Sequence, residues 1–296
     1  QAMNFEKAIL KLESGAYAAG YKGGNGSEQN YTHKVGSLQG SGTLGTGVWN
    51  VGYRGEDDTF AGVFNSAATV NKYGTGKWTL TGASAGALNI YEGEVVANTT
   101  SAAATTGTIT VRNGGMLTGT GKVQKVMVQS GGTLGAGKSA TAVGTLTVNG
   151  TVTMNAGSTL CIRTRSTAVT TNNDAIKAIG KVTLKSPKIV VSELNDSYTY
   201  ADGAVLKVFT GEGEGSIDGD ITMVPAQPRE GYLWDTSALA TEGVIRVVAD
   251  PVGIRELSVE NLADDDVIYD LSGHRVKTIA HAGLYVVNGI KIYIKK

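Results

Sequence analysis

The chain is short of cysteine, proline and excess charge, and each shortage excludes a class of protein. Its 296 residues include one Cys and four Pro, the first of them Pro187. Lys plus Arg and Asp plus Glu both number 26, so the formal net charge is zero. Proteins that attract nucleic acid electrostatically carry excess positive charge, and we expect no nucleic-acid partner. Every apolar run falls well short of the roughly 20 residues of a membrane-spanning helix, so we expect no transmembrane span.

A single cysteine, Cys161, cannot form a disulfide within the chain, so cysteine content does not indicate the redox compartment. Cys161 lies in the apolar run TLCI at residues 159–162. We expect it to be a small buried hydrophobic residue rather than a reactive thiol. The chain begins at Gln1 rather than Met, which is typical of a processed form or a fragment.

Glycine and threonine are abundant instead, with 42 Gly and 34 Thr in the chain. Pro cannot donate a hydrogen bond to a β-ladder, whereas Gly accepts the backbone conformations of tight turns. Many Gly and Thr residues with no Pro before residue 187 therefore favour short strands joined by tight turns. We predict an all-β protein.

Glycine turns recur through the middle of the chain at a nearly constant interval. Gly93, Gly114, Gly131 and Gly150 are separated by 21, 17 and 19 residues, and a short strand precedes each of them. Units of this size cannot bury their apolar side alone and must stack on their neighbours. The spacing predicts a parallel β-helix over about residues 35–250, with Gly114, Gly131 and Gly150 stacked in successive coils. An antiparallel sandwich with Asn-Gly hairpins is the alternative.

The same region resembles a known family. Residues 72–82 read KYGTGKWTLTG and residues 90–95 read IYEGEV, a pattern similar to the autotransporter-associated β-strand repeat of bacterial surface proteins. Trp78 stands where Leu is commoner in that repeat. Residues 231–239, GYLWDTSAL, are similar to the closing segment of the same architecture. The resemblance implies a β-helix and a cell-surface location, and no particular activity.

The composition changes near Pro251. We predict a boundary there, between a β-helix with irregular N-terminal and closing segments in residues 1–250 and a separate module in residues 251–296. The module's strands are longer from residue 254 onward, and a turn at residues 271–274 suits a hairpin. These features predict a small antiparallel β-sandwich.

The strongest turn signal of the module is Asn288-Gly289, which stands alone between two apolar strands. This dipeptide favours a type I′ turn, because both central residues of that turn need positive φ. The turn fixes the register of the hairpin. It places Ile290, Ile292 and Ile294 on one face of the strand and predicts that this face is the module's core.

The module is similar to the type A sorting domain of the Por (type IX) secretion system. The shared residues are IYDLSG at 268–273, RV at 275–276, GLYVV at 283–287 and the basic ending at 291–296. His274 stands where Arg is commoner. The resemblance implies export from a Gram-negative cell to its outer surface or the medium, with the secretion machinery as this module's partner.

Few groups in the sequence are arranged for chemistry, and we predict no catalytic, cofactor-binding or metal-binding residue. No nucleophile elbow, phosphate loop or dinucleotide fingerprint is present. The three histidines, His33, His274 and His281, lack metal-site spacing. We expect all three at the surface or in turns.

Three groups of acidic residues are candidates for calcium or acid–base sites. Residues 56–58 and 264–266 are consecutive acids, so their side chains diverge along an extended chain and solvated turns are expected. The third group, EGEGSIDGD at residues 212–220, separates its carboxylates by glycines. It lacks the spacing of an EF-hand calcium loop.

Exposed aromatic rings can stack on sugar rings, and the candidates are Trp49, Tyr53, Trp78 and Trp234. Trp78 and Trp234 fall where the repeat resemblance expects apolar packing, so we expect both in the core. An extracellular glycan is thus a candidate partner without an assigned binding residue.

These observations define architecture more closely than activity. The leading hypothesis is a non-catalytic, secreted or surface-attached β-solenoid that serves as a stalk, spacer or adhesion scaffold and presents a long lateral surface to glycans or proteins. The alternative is the non-catalytic C-terminal part of a polysaccharide lyase or glycosidase. A third hypothesis is a free carbohydrate-binding module, which requires an exposed row of aromatic rings.

Overall fold

The computed structural model describes residues 4–19, 31–83, 85–99, 107–137, 142–166, 171–194, 200–212, 215–250, 255–259, 262–263 and 266–295. Within these residues the regular secondary structure is extended, with no α-helix. The prediction of an all-β protein is confirmed.

Twenty-nine strands precede residue 250 in the described part of the chain. They are β1 (Asn4–Leu12), β2 (Tyr17–Ala18), β3 (Thr32–Gly40), β4 (Thr43–Leu44), β5 (Gly47–Val51), β6 (Asp58–Phe60), β7 (Val63–Phe64), β8 (Ala68–Lys72), β9 (Lys77–Leu80), β10 (Ala87–Ile90), β11 (Gly93–Ala97), β12 (Thr108–Val111), β13 (Gly115–Thr118), β14 (Lys122–Val123), β15 (Lys125–Val128), β16 (Thr133–Leu134), β17 (Thr145–Val148), β18 (Val152–Met154), β19 (Thr159–Ser166), β20 (Thr171–Asn173), β21 (Ala175–Ala178), β22 (Val182–Lys185), β23 (Lys188–Glu193), β24 (Val205–Lys207), β25 (Phe209–Thr210), β26 (Gly215–Asp218), β27 (Thr222–Val224), β28 (Tyr232–Asp235) and β29 (Val244–Ala249).

Most of these strands wind into a parallel coil with three faces, in which each turn of the chain, or rung, lies on the preceding one. Face 1 stacks β3, β5, β8, β10, β12, β15, β18, β22 and β26. Face 2 stacks β1, the second half of β3, β6, β9, β11, β13, β16, β19, β23 and β27. Face 3 consists of two shorter series, β2-β4-β7 and β14-β17-β21-β25. This topology confirms the parallel β-helix.

The core of the coil consists of columns of inward side chains. Alternation along a strand sends one side chain inward and the next outward, so residues in register stack on each other from rung to rung. The inward column of face 1 is Val35, Val51, Lys72, Ile90, Val111, Val128, Met154 and Leu184, all buried. Fully burying one such apolar side chain contributes about 1.5–3 kcal/mol, and one continuous cluster runs through the stacked rungs.

Lys72 is the charged member of that column. Its Nζ donates hydrogen bonds to the backbone carbonyl oxygens of Tyr73 at 2.8 Å, Gly74 at 2.7 Å and Glu92 at 3.3 Å. Burial lowers the pKa of Lys72 from 10.5 to about 8. The buried ammonium therefore joins two rungs at the corner between faces 1 and 2.

The predicted stack of glycines is confirmed for Gly114 and Gly131. The Gly114 N–H donates to the carbonyl oxygen of Gly131 at 3.2 Å, and the Gly131 N–H donates to that of Gly157 at 2.9 Å. Gly150 lies at a different corner, where its carbonyl accepts from the N–H of Gly180 at 3.0 Å. The prediction that Gly150 continues the stack is wrong, and Gly157 takes that place.

A change in rung length explains the error. Ile109 pairs with Val126, 17 residues later, whereas Val126 pairs with Val152, 26 residues later. Most of the extra residues lie in the connection to face 3: ten residues separate β16 from β17, whereas three separate β13 from β14 in the preceding rung. A constant interval therefore assigns β17 and β18 to the wrong faces.

The coil also begins earlier than the predicted residue 35. β1 pairs in parallel with β3, with Leu10 opposite Leu38 and Leu12 opposite Gly40. The sequence of β1, NFEKAILKL, contains no glycine. A search for glycine turns therefore cannot find this first rung.

An antiparallel sheet of β24, β29 and β28 follows the last parallel strands. Trp234 lies on β28, half-buried against the main core, and its Nε1–H donates to the carbonyl oxygen of Pro225 at 2.9 Å. Its ring meets Tyr200 edge-on, with 5.3 Å between ring centroids. The Trp234 ring therefore packs against the core without being buried in it, so the prediction of a core position is confirmed only in part.

Four further strands form a separate sheet near the C-terminus: β30 (Arg255–Ser258), β31 (Ile268–Tyr269), β32 (Gly283–Val287) and β33 (Ile290–Lys295). Asn288 and Gly289 have φ of +49° and +83°, as a type I′ turn requires. Ile292 and Ile294 are buried in a small cluster separate from the main core. The predicted hairpin is confirmed, and so is the predicted core face at these two positions; the side chain of Ile290 lies outside the described residues.

Two details of this sheet differ from the prediction. β30 runs parallel to β33, so the expectation of a wholly antiparallel module is wrong. The turn at residues 271–274 leads to a single bridge between Tyr269 and Arg275 rather than to a second long strand. The four strands form one sheet within the described residues, and the predicted boundary at Pro251 lies outside them.

Candidate functional site

A groove of about 450 Å³ crosses face 2. Outward side chains of β9, β11 and β13 line one end and those of β19 line the other, while β16 between them is only two residues long. The volume falls within the roughly 300–1,000 Å³ of small-molecule sites. The groove is therefore a candidate binding site on the side of the solenoid.

Gly135 lies at the centre of the groove and interrupts an outward row of side chains. The register of β13, β16 and β19 places it between Thr118 and Cys161. A Cβ atom at Gly135 would come no closer than 3.5 Å to any other atom, which is ordinary van der Waals contact. The missing side chain therefore opens the groove.

Charged and hydroxyl groups line the end of the groove on β9, β11 and β13. The Nζ of Lys77 lies 3.5 Å from Glu94 Oε2, and the Thr118 hydroxyl donates to Glu94 Oε1. Lys77 lies opposite Glu94 in the β9–β11 ladder, and Thr118 lies on β13, the next strand of face 2. The carboxylate is thus held from two sides at the wall of the groove.

A second ion pair forms the opposite end. Arg163 Nε donates to Asp174 Oδ2 at 2.6 Å and its Nη2 donates to Oδ1 at 3.2 Å. The same Nη2 also donates to the carbonyl oxygens of Ala136 and Ala142, and the buried Asp174 also accepts from the N–H of Gly144. A bidentate pair with these additional bonds fixes the geometry of this end.

Cys161 lines the groove, and the prediction that it is buried in the core is wrong. It is partly exposed, because its neighbours Leu160 and Ile162 take the inward positions of β19. Burial against the groove wall raises the pKa of the Cys161 thiol. A raised pKa favours the neutral thiol at neutral pH, as expected for a residue that is not a nucleophile.

The groove is arranged for binding more than for proton transfer. Both of its carboxylates, Glu94 and Asp174, are already bonded to a neighbouring cation. A general acid or base must be able to reach a substrate proton, and Asp174 is fully buried. In the described parts of the chain, no group of three or more His, Cys, Asp or Glu side chains is placed to hold a metal ion.

The histidines fall in two environments. His274 is exposed, with its Nδ1 3.3 Å from Asp270 Oδ2, and His281 is also exposed, as predicted. His33 is buried on β3, where its ring stacks on Trp49 with 4.4 Å between centroids. The prediction of a surface position is wrong for His33, because its inward register places it in the same column as Trp49.

The acidic groups do not converge. Glu56 pairs with Arg54 at 2.7 Å at the surface, and Asp57 accepts from the N–H of Lys77. Asp58 is buried rather than solvated and accepts from Gln39 Nε2 at 2.6 Å, which corrects the prediction for this residue.

The other two acidic groups lie partly outside the described residues. Positions 264–265 and 213–214 are the parts that are not described. Asp266 accepts from Asn288 Nδ2 at 2.6 Å. Glu212, Asp218 and Asp220 are exposed, so the described members of this group are solvated.

Two of the candidate sugar-stacking rings are in the core. Trp78 is buried as predicted, with its Nε1–H bonded to the carbonyl of Leu38 at 3.1 Å. Trp49 is also fully buried, with its Nε1–H bonded to Gly45 at 3.3 Å. Neither ring can stack on a ligand at the surface.

Tyr53 belongs to a stack of three half-buried tyrosines at the corner between faces 1 and 2. Ring centroids are 5.1 Å apart from Tyr53 to Tyr73 and 4.9 Å apart from Tyr73 to Tyr91, and the rings are nearly parallel. Lys34 and Arg112 lie over the two outer rings, at 5.8 Å and 4.9 Å from the centroids. This tyrosine stack covers its own ring faces, so it offers edges and hydroxyls rather than a platform for sugars.

A row of asparagines runs beside the tyrosine stack on the outer surface of face 1. Asn71 Nδ2 donates to Asn50 Oδ1 at 2.8 Å, and Asn89 Nδ2 donates to Asn71 Oδ1 at 2.9 Å. Arg112 Nη2 completes the row by donating to Asn89 Oδ1 at 3.1 Å. The asparagine row therefore ties successive rungs together on the outside of the coil.

No protein-family model matches the chain, and a search of curated proteins gives no match. The resemblances to the autotransporter-associated repeat and to the type A sorting domain therefore stay predictions. None of the described residues belongs to a helix long and apolar enough to cross a bilayer.

Sequence reasoning missed the groove and the tyrosine stack. Both depend on which residues share a level of the coil, and that requires the length of every rung. The sequence carried one local signal for the groove, the run Gly135-Ala136-Gly137, where small residues stand in a region of otherwise longer outward side chains.

Proposed function

We propose that this protein is a non-catalytic, secreted or surface-attached β-solenoid that acts as a spacer and adhesion scaffold. The observation that carries the proposal is the single hydrophobic core that runs without a break through the stacked rungs. Each rung is held by the rungs on both sides of it. Such a body transmits load along its axis and presents a fixed lateral surface.

The dimensions of the coil suit this role. Face 2 stacks ten strands in the described residues, and strands in a sheet lie about 4.8 Å apart, which gives a rod about 45 Å long. Partners that bind several rungs at once gain from the repeated spacing.

Export and attachment are assigned in this proposal to residues 251–296. Support comes from the separate small core of Ile279, Val287, Ile292 and Ile294 and from the resemblance of this stretch to a sorting domain. A module with its own core can be recognised by an export system without disturbing the solenoid.

Deletion of residues 251–296 in the native cell tests the proposal. We expect the full chain at the outer surface or in the medium, and the truncated chain folded but retained inside the cell. Surface immunolabelling and the circular dichroism of the purified truncated chain are the two measurements. Normal surface levels of the truncated chain would refute the sorting role.

The alternative, the non-catalytic C-terminal part of a polysaccharide lyase or glycosidase, is favoured by the lateral groove. The scaffold proposal and this alternative both predict that the isolated chain cleaves no polysaccharide. Cleavage of a neutral or acidic polysaccharide that is lost in Glu94→Gln would contradict both. A longer reading frame that encodes a catalytic domain upstream would select the alternative.

A further inference from the structure

We infer that the groove around Gly135 is a binding site for a neutral oligosaccharide that lies along the axis of the solenoid. This inference rests on the proposed function, because it names the ligand class and the residues of the adhesion surface. The fold does not require glycine at position 135, at the centre of the groove.

Gly135 differs from nearly all other glycines in the described residues. Apart from Gly144 and Gly283, each of the others has a positive φ or would place a Cβ atom within 3.0 Å of a neighbouring atom. At those positions a side chain is excluded by the backbone or by the adjacent rung. Gly135 has neither constraint, so the backbone does not explain its lack of a side chain. The open groove that results is the structural consequence of glycine at this position.

The charges of the groove favour a neutral ligand. Lys77 lies beside Glu94, and Arg163 lies beside Asp174, at 3.5 Å and 2.6 Å. Each cation is compensated by its own carboxylate, so the lining carries no net charge. An acidic polysaccharide or a phosphate would find no surplus of positive charge in the groove.

The chemistry of the lining favours a ligand with many hydroxyl groups. The hydroxyls of Thr79 and Thr118, the amide of Asn98 and the carboxylate of Glu94 supply donors and acceptors along the groove, and sugar hydroxyls bond to both kinds of group. The apolar side chains of Val96 and Met116 lie between these groups. They suit the C–H faces of pyranose rings.

The length of the groove favours a short chain rather than a single sugar. Its lining comes from five successive levels of face 2, namely β9, β11, β13, β16 and β19. Levels about 4.8 Å apart place the outer two about 19 Å from each other. An extended oligosaccharide can therefore contact several levels at once.

Titration calorimetry with the full chain tests the inference. The probes are neutral oligosaccharides of several linkages, with an oligogalacturonate and an uncharged peptide for comparison. We expect a neutral oligosaccharide to bind, and we expect its affinity to be unchanged when salt is raised from about 0.05 to 0.5 M, because screening acts on charged ligands. The assignment of ligand class would be overturned if the protein bound the peptide or the oligogalacturonate but none of the neutral oligosaccharides.

The decisive variant is Gly135→Leu, whose side chain extends into the groove from a position where a Cβ atom fits. We expect it to weaken binding at least about tenfold, as filling the centre of a site removes its best contacts. Thr110→Leu adds a similar side chain to an outward position of face 1 and should bind like the wild type. Unchanged circular dichroism of both variants shows that they are folded.

The outcomes separate this inference from the proposed function. If Gly135→Leu binds as tightly as wild type, glycan contact stands but the groove is not its site. If no neutral oligosaccharide binds the wild type, the inference is wrong, whereas the export test with residues 251–296 still decides the proposed function by itself.

Discussion

The solenoid and the small C-terminal sheet are both built from short strands and glycine turns, but they are stabilised differently. Within the described residues, about forty buried apolar side chains form the continuous core of the solenoid, whereas the C-terminal module has four, namely Ile279, Val287, Ile292 and Ile294. A small core contributes little unfolding free energy by itself. The stability of such a sheet therefore depends strongly on its turns. The solenoid should therefore tolerate a poor turn better than the small sheet does.

Glycine has a different role in each region. Gly119, in the solenoid, would place a Cβ atom 2.2 Å from the carbonyl oxygen of Ala97 in the preceding rung. Gly289, in the C-terminal hairpin, has no atom within 4 Å of such a Cβ and needs only its positive φ of +83°. Glycine thus permits close stacking of the chain in one region and a tight turn in the other.

The largest expected effect is a charge in the solenoid core. Leu146→Asp places a carboxylate at a fully buried inward position of β17, and we expect a loss of more than about 4 kcal/mol of unfolding free energy, because the charge has no partner there. Thr147→Asp, one residue later and facing outward, is the matched control and should cost less than about 1 kcal/mol. Urea unfolding followed by circular dichroism measures both. Equal losses would show that the alternation of β17 is misassigned.

Gly119→Ala tests close stacking in the solenoid. The added methyl group collides with the Ala97 carbonyl, and the φ of Gly119, +118°, is strained for alanine. We expect a loss of about 2–4 kcal/mol. Gly135→Ala is the control, because its methyl group fits and should change stability by less than about 0.5 kcal/mol. If the two variants lose the same unfolding free energy in urea, backbone contact between rungs is not what requires glycine at position 119.

Gly289→Val tests the C-terminal turn. A β-branched residue resists the positive φ of the type I′ turn, at a cost of about 1–3 kcal/mol, which is large for a sheet with so small a core. We expect the amide signals of β32 and β33 to collapse to random-coil shifts in NMR spectra while those of the solenoid stay in place. Gly283→Ala, whose added methyl group meets nothing closer than 3.8 Å, should leave both sets unchanged. Loss of the solenoid signals in Gly289→Val would mean that the two regions fold as one unit.

The last prediction concerns Lys72 and appears as a pH dependence. Its folded pKa of about 8 lies below the unfolded value of 10.5, so the unfolded chain holds the proton more tightly between these values. The stabilising contribution of the neutral Lys72 side chain is therefore present above pH 10.5 and is lost as the pH falls through 8. The unfolding free energy of the wild type should therefore rise relative to that of Lys72→Met as the pH rises from about 7 to 10.

Lys125→Met, which removes an exposed lysine from face 1, is the control for this titration. Urea unfolding at several pH values gives the difference for both variants. A flat difference for Lys72→Met would show that the carbonyl oxygens around the ammonium offset its burial in full.

The sequence was sufficient to predict the class of fold but not its details. Gly-rich turns and alternating strands identify the parallel coil, and Asn288-Gly289 identifies the hairpin, because these signals are local. The position of Gly150 could not be predicted, since it depends on the longer connection between β16 and β17 in the same rung.

The same limit applies to the candidate site. Cys161 lies in an apolar run, and only the register of β19 shows that Leu160 faces inward and Cys161 outward. His33 was misplaced for the same reason. A groove formed by five rungs has no signature in any one of them.

The asparagine row has a direction. Each Nδ2–H points to the oxygen of the preceding rung, so the amide dipoles of Asn50, Asn71 and Asn89 are aligned along the axis of the coil. Aligned amide dipoles add, and in α-helices their sum favours a cation at the end where the oxygens are directed. In the asparagine row the guanidinium of Arg112 occupies the end at Asn89 and supplies its last oxygen with a donor. This surface thus carries an oriented dipole with a charged cap, formed by side chains within a described structure that contains no α-helix.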